Sequence, residues 1–178
     1  MHRWLLVSAL ALSTLLPASV AQADVYVGIG IGPTLRLDNW PNQVRVEQEI
    51  GYSFGGRSGF FLSFAPSQSW GNEYWMLVFP LGIGGLFDVY RSGDFAFQLG
   101  PMGHVGLALA DDFDRSDRDV DLWFHFGAAF MVRFMILNDR LGIYLKPIGL
   151  EFGAGDSVRG HGRFDARFYL AGGVQYYF

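Results

Sequence analysis

The residues able to do chemistry recur on one side of an alternating pattern. Arg45, Glu47 and Glu49 form one set, Asp121, His125 and Arg133 a second, and Asp165 and Arg167 a third, with His104 and Lys146 in two further segments. Histidines and carboxylates so placed could do acid/base work, hold a divalent cation or line an ion path. The same residues could instead form an interior network, in which opposite charges and hydrogen bonds offset desolvation. Their signs nearly balance, which favours the network. The chain has no Cys, which removes a thiol nucleophile, thiolate metal ligands and disulfides. His104 and His125, without Cys and without a fixed ligand spacing, read as network members. Accordingly no catalytic residue, metal site or cofactor is expected. Asp112-Phe113-Asp114 begins like a calcium loop, but Asp117 stands where the Gly should be and Trp123 where the bidentate Glu should be.

The elements that must position these residues are strands. From Arg163 to Phe178 every second residue is apolar or aromatic apart from Gly172 (Phe164, Ala166, Phe168, Leu170, Gly172, Val174, Tyr176, Phe178), and the intervening set is polar or small. That is a period of two, long enough to cross a membrane at a tilt. Seven earlier segments share it. The alternation predicts strands over Asp24–Leu35, Gln43–Phe54, Gly59–Ala65, Glu73–Tyr90, Phe95–Ala110, Val120–Leu137, Leu141–Phe152 and Arg163–Phe178. Strand Val120–Leu137 shows the sidedness best, with Leu122, Phe124, Phe126, Phe130 and Phe134 opposite Asp121, Trp123, His125, Met131 and Arg133.

The connections alternate in character. Gly55–Ser58, Arg91–Asp94 and Asn138–Arg140 are tight turns, whereas Arg36–Asn42, Pro66–Asn72, Asp111–Asp119 and Gly153–Gly162 are longer and more polar. Short turns at one end and long loops at the other fit a transmembrane barrel. The composition, 51% hydrophobic and 17% aromatic, fits a lipid-facing surface better than the core of so short a chain. A soluble barrel would carry Lys and Glu on its outer face, where the first, sixth and eighth segments have none. The net charge of −4, with no dense basic stripe, excludes a nucleic-acid footprint. Met1–Ala23 reads as an export signal: Arg3, an apolar run from Leu5 to Leu16, Pro17, and Ala21-Gln22-Ala23 as a cleavage site. What remains, about 155 residues, makes one domain.

Prolines oppose this scheme. Pro33, Pro80, Pro101 and Pro147 fall inside predicted strands, and Pro80-Leu81-Gly82, Pro101-Met102-Gly103 and Pro147-Ile148-Gly149 are candidate bulges. Trp40, Trp70, Trp75 and Trp123 near loop ends, with Phe54, Phe60, Tyr90, Phe95, Tyr176 and Phe178 near turn ends, read as two interfacial girdles.

The chain resembles the small eight-stranded outer-membrane barrels of Gram-negative bacteria, the group of the OmpA transmembrane domain and OmpX. Gly173, Tyr176 and Phe178 match the C-terminal signal by which such barrels are recognised for assembly; Ala171 departs from it where a polar residue is usual. The resemblance implies an all-β, eight-stranded, antiparallel up-and-down barrel in the outer membrane, exported through the periplasm. Its implied partners are outer-membrane lipid, lipopolysaccharide and the barrel assembly machinery. The expected function is non-enzymatic, structural or surface-interacting, in a monomer with a side-chain-filled interior. The alternatives are a lipid A-modifying barrel enzyme and a small channel. Arg159, His161 and Arg163 in the last loop are candidate contacts for lipopolysaccharide phosphates. The last strand is expected to pair with the first through Gly28, Gly30 and Gly32.

Overall fold

The computed structural model describes residues 24–36, 43–54, 57–70, 74–112, 121–156 and 162–178. The expected export signal, the acidic loop 113–120 and Trp40 lie outside them. Among the described residues there are nine strands: β1 (Asp24–Arg36), β2 (Gln43–Phe54), β3 (Gly59–Phe64), β4 (Ser67–Trp70), β5 (Tyr74–Ser92), β6 (Phe95–Asp112), β7 (Asp121–Ile136), β8 (Leu141–Asp156) and β9 (Gly162–Tyr177). They make one antiparallel sheet in which sequence neighbours pair, except β3 with β4, and β9 pairs with β1 to close it. β3 and β4 both lie between β2 and β5, so they are two halves of one stave. The result is an eight-staved barrel without a free edge. Closure runs through Gly28 opposite Gln175 and Gly30 opposite Gly173.

Sidedness decides what kind of barrel this is. Ile29, Ile31, Leu81, Ile83, Val105, Leu107, Phe124 and Ile148 are exposed on the outside, whereas Arg45, Glu47, Lys146, Asp165 and Arg167 are buried. Apolar outside and polar inside is the inverse of a soluble barrel and the pattern of a transmembrane one. The outer surface is polar at Gln48 and Gln68, which flank the break between β3 and β4. There the Gln48 N–H donates to the Pro66 carbonyl at 2.9 Å, and the Ala65 N–H donates to the Pro80 carbonyl at 3.2 Å. The break therefore keeps its backbone groups paired, as hydrocarbon requires.

Two expected loops are shorter than predicted. Ser67–Trp70 is strand, because Ser67 and Ser69 face inward beside Arg45 and Glu47, where small polar side chains belong. Gly153–Asp156 is also strand, because Gly153 and Gly155 make room for Trp123; a Cβ on Gly155 would stand 2.9 Å from that ring. Local polarity had suggested solvent, but it marks the lumen.

The prolines divide. At Pro147 the expected bulge forms: β8 holds one residue more than β9 between Lys146 and Gly149, and inward facing passes from Lys146 to Gly149 and Glu151. Pro80 and Pro101 do not bulge; they stay in register opposite Gly106 and Phe130. A missing N–H deletes one ladder bond without inserting a residue. An unexpected bulge lies at Val89, between Asp88 and Tyr90. Of the tight turns, Gly93 adopts φ 55°, and Leu137, Asn138 and Asp139 all take positive φ, which costs a bulky residue such as Leu137 most.

The inward glycines do not leave an open bore. A Cβ on Gly51 would stand 2.1 Å from the Tyr26 ring, and one on Gly30 would stand 2.2 Å from the Tyr144 hydroxyl. Glycine at these positions is the space that tyrosine occupies.

Candidate functional site: the polar interior

The interior is a stack of three layers. Nearest the end bearing the Gly93 and Leu137–Arg140 turns, Arg133 reaches across the bore from β7. Its Nε donates to Gln98 Oε1 at 2.8 Å, one Nη to Gln175 Oε1 at 3.1 Å and to the Tyr177 hydroxyl, and the other to the Arg57 carbonyl at 2.5 Å. Glu49 accepts from Tyr26 at 2.8 Å and from Gln175 at 2.9 Å. The Tyr26 and Tyr177 rings stack with centroids 5.0 Å apart. At the rim, Arg57 pairs with Asp24 at the start of β1 at 3.4 Å, and Arg91 at the end of β5 pairs with Asp139 in the turn after β7 at 2.5 Å.

The middle layer carries the densest charge. Glu47, on β2, accepts from Lys146 Nζ at 2.6 Å and from the Tyr144 hydroxyl at 2.7 Å, both on β8 across the bore. Arg45 lies 3.6 Å from Glu47, sits over the Tyr169 ring at 4.6 Å, and donates to Glu151 Oε1. Glu151 is also approached by His104 Nε2 at 3.5 Å and His125 Nε2 at 3.4 Å. The register explains this meeting. Gly127 on β7 lies opposite His104 on β6 and opposite Glu151 on β8, and its lack of a side chain seats the His104 imidazole between them. His125 is two residues along the same face, so the two rings stack 5.3 Å apart at 14°.

At the loop end, Asp165 pairs with Arg167 on β9. Trp123, Met76, Val78, Ala108 and Ala110 form an apolar cluster beside them. Trp123 therefore belongs to the interior and not to a girdle, because its alternate position on β7 points it inward. The exposed Trp70, Phe60, Tyr90, Phe95, Tyr176 and Phe178 are on the outside.

Among the described buried side chains, four cations (Arg45, Arg133, Lys146, Arg167) face four carboxylates (Glu47, Glu49, Glu151, Asp165). Balance of this kind offsets the desolvation of each member, and loss of one partner exposes the full cost of the other. Of the residues singled out from sequence, Arg45, Glu47, Glu49, His104, His125, Arg133, Lys146, Asp165 and Arg167 all lie in this interior. Asp121 and Arg163 belong to β7 and β9, but their side chains lie outside the described residues, as do Arg159 and His161 altogether. Sequence reasoning missed Glu151, the hub of the middle layer, and the Tyr and Gln partners of the first. The residues expected to form an assembly signal lie along the seam: Gly173 packs against the Ile29 carbonyl, the Phe178 N–H donates to the Val25 carbonyl at 3.1 Å, and the Tyr176 and Phe178 rings meet edge to face at 5.3 Å.

No family model and no curated protein sequence matches the chain. Among solved structures, the fold is similar to that of neisserial surface protein A (TM-score 0.56, 11% identity), covering 88% of this chain and 97% of that one. It is also similar to the N-terminal β-barrel domain of Pseudomonas aeruginosa OprF (TM-score 0.51, 16% identity), covering 88% of this chain and all of that domain. Both likenesses concern the barrel fold.

Proposed function

We propose that this protein is a non-enzymatic outer-membrane barrel whose closed, charge-balanced interior serves stability, and whose role is structural or surface-interacting. The observation that carries this reading is the middle layer: Arg45, Glu47, Lys146 and Glu151 meet across the bore from β2 and β8. An eight-stranded barrel is only wide enough for its side chains to fill, and here they do. The apolar belt supports residence in a bilayer, and the fold likeness to Gram-negative surface barrels favours the outer membrane. Its partners on this reading are lipid, lipopolysaccharide and, through Gly173, Tyr176 and Phe178, the assembly machinery; the working unit is one chain.

Planar bilayers and lipid A mass spectra test the proposal together. The folded protein should give no steady single-channel conductance, and lipid A from an expressing strain should keep its acyl chains. Reproducible conductance steps that change on Glu47→Ala would replace this reading with a channel, and a lost or gained acyl chain would replace it with a lipid A-modifying enzyme.

A further inference from the structure

We propose that His104, His125 and Glu151 form a binding site for a divalent transition-metal cation of the zinc type inside the barrel. All three residues are buried, and one ligand atom from each lies within 4.8 Å of the others. The finer distances carry the inference. In a tetrahedral site with bonds of about 2.0–2.1 Å, neighbouring ligand atoms stand about 3.3–3.4 Å apart. Here His125 Nε2 lies 3.4 Å from Glu151 Oε2 and His104 Nε2 lies 3.5 Å from Glu151 Oε1. Both separations are long for hydrogen bonds; the one to Oε2 has the length of a tetrahedral edge, and His104 meets the same carboxylate on its other oxygen.

A second observation points the same way. Neither His104 Nε2 nor His125 Nε2 completes a hydrogen bond, although both side chains are almost fully buried. Buried polar atoms without partners are rare and costly, and two of them aimed at one carboxylate suit a shared cation. Two imidazoles and one carboxylate match zinc better than calcium or magnesium, which favour oxygen ligands. Arg45 fits as an outer partner. It holds Glu151 through Oε1, which leaves Oε2 free toward His125 and fixes the carboxylate, as outer-shell donors do at metal centres. A cavity of about 10 Å³, close to the room one water needs, lies beside His104, Arg45 and Lys146. On the loop side the Trp123 cluster separates the layer from the barrel mouth, so the cation would be acquired as the barrel folds and would serve structure.

The test uses the full barrel, folded in detergent, stripped with chelator and refolded with zinc chloride, then desalted for metal analysis. One zinc per chain is expected, together with the visible spectrum of tetrahedral cobalt when cobalt replaces it. His104→Gln and His125→Gln should each lower zinc affinity at least about tenfold, whereas His161→Ala should leave it unchanged. Heat-modifiable gel mobility establishes that every variant is folded. Substoichiometric zinc in the wild type, unchanged affinity in the folded His104→Gln/His125→Gln double variant, or loss of binding on His161→Ala would each overturn the assignment.

Discussion

Arg45 and Glu151 are 106 positions apart in the chain and meet as a buried ion pair in the middle of the barrel. Each also contacts other members of the layer, Arg45 through Glu47 and Tyr169, and Glu151 through the two histidines. Such a pair ties β2 to β8 across the bore, a link the ladder of neighbouring strands cannot make.

Removing one half should therefore cost more than removing both. Arg45→Met leaves Glu151 buried without its cation, and a loss of about 3–5 kcal/mol is expected. In metal-free protein, Arg45→Met/Glu151→Met should recover most of it. Urea unfolding of the folded barrel, with the two single variants and the double variant compared, measures the coupling; additive losses would contradict it.

Lys146→Met makes the same argument on the other carboxylate. Glu47 would retain Tyr144 and the distant Arg45 but lose its shortest contact. A destabilisation of about 3 kcal/mol or more is expected, and Glu47→Gln in the same chain should relieve it. A lysine variant as stable as wild type would show that the bore admits compensating water.

The space reserved for Tyr26 gives a steric prediction. Gly51→Ala places a methyl group inside the Tyr26 ring position and should cost about 1–3 kcal/mol through displacement of the ring. The ring also carries the hydrogen bond to Glu49, so its displacement should be visible in tyrosine fluorescence. Wild-type stability and fluorescence in this variant would mean that the bore has slack.

The outer belt predicts a depth profile. Ile83→Arg, in the middle of β5, should cost about 2–4 kcal/mol for folding into lipid vesicles, whereas Val89→Arg near the turn rim should cost about 0–1. Both residues are equally exposed, at 60%, so accessibility alone predicts no difference. Equal penalties would sink the proposed membrane orientation.

The seam predicts an assembly defect. Phe178 is exposed beside Tyr176, and its N–H bonds to Val25 on β1. Deleting Phe178 should lower the amount of barrel reaching the surface more than deleting any single residue between 113 and 119. Equal surface levels would remove the terminal aromatic from the assembly role.

Much of this was present in the sequence, because facing in a strand has a period of two and the two sides of this barrel differ in chemistry. Arg45, Glu47 and Glu49 could be placed inside from β2 alone, and Asp165 and Arg167 from β9. Glu151 could not. Counting by twos from Tyr144 and Lys146 puts it on the lipid side, and only the extra residue at Pro147 turns it inward. A lone glutamate among apolar residues, four positions after a proline, was the available signal. Proline shows where a bulge is allowed and not whether it forms, as Pro80 and Pro101 show.

By itself, then, the sequence determined the all-β class, the staves and their sidedness up to the bulges, since these follow from local alternation and turn chemistry. The tertiary structure decided which inward groups touch. Glu47 meets Lys146, and Glu151 meets Arg45 and the two histidines, because the shear and closure of the barrel bring distant strands face to face across a narrow bore. Those partners are set by register and by a single inserted residue, which no window of the chain contains.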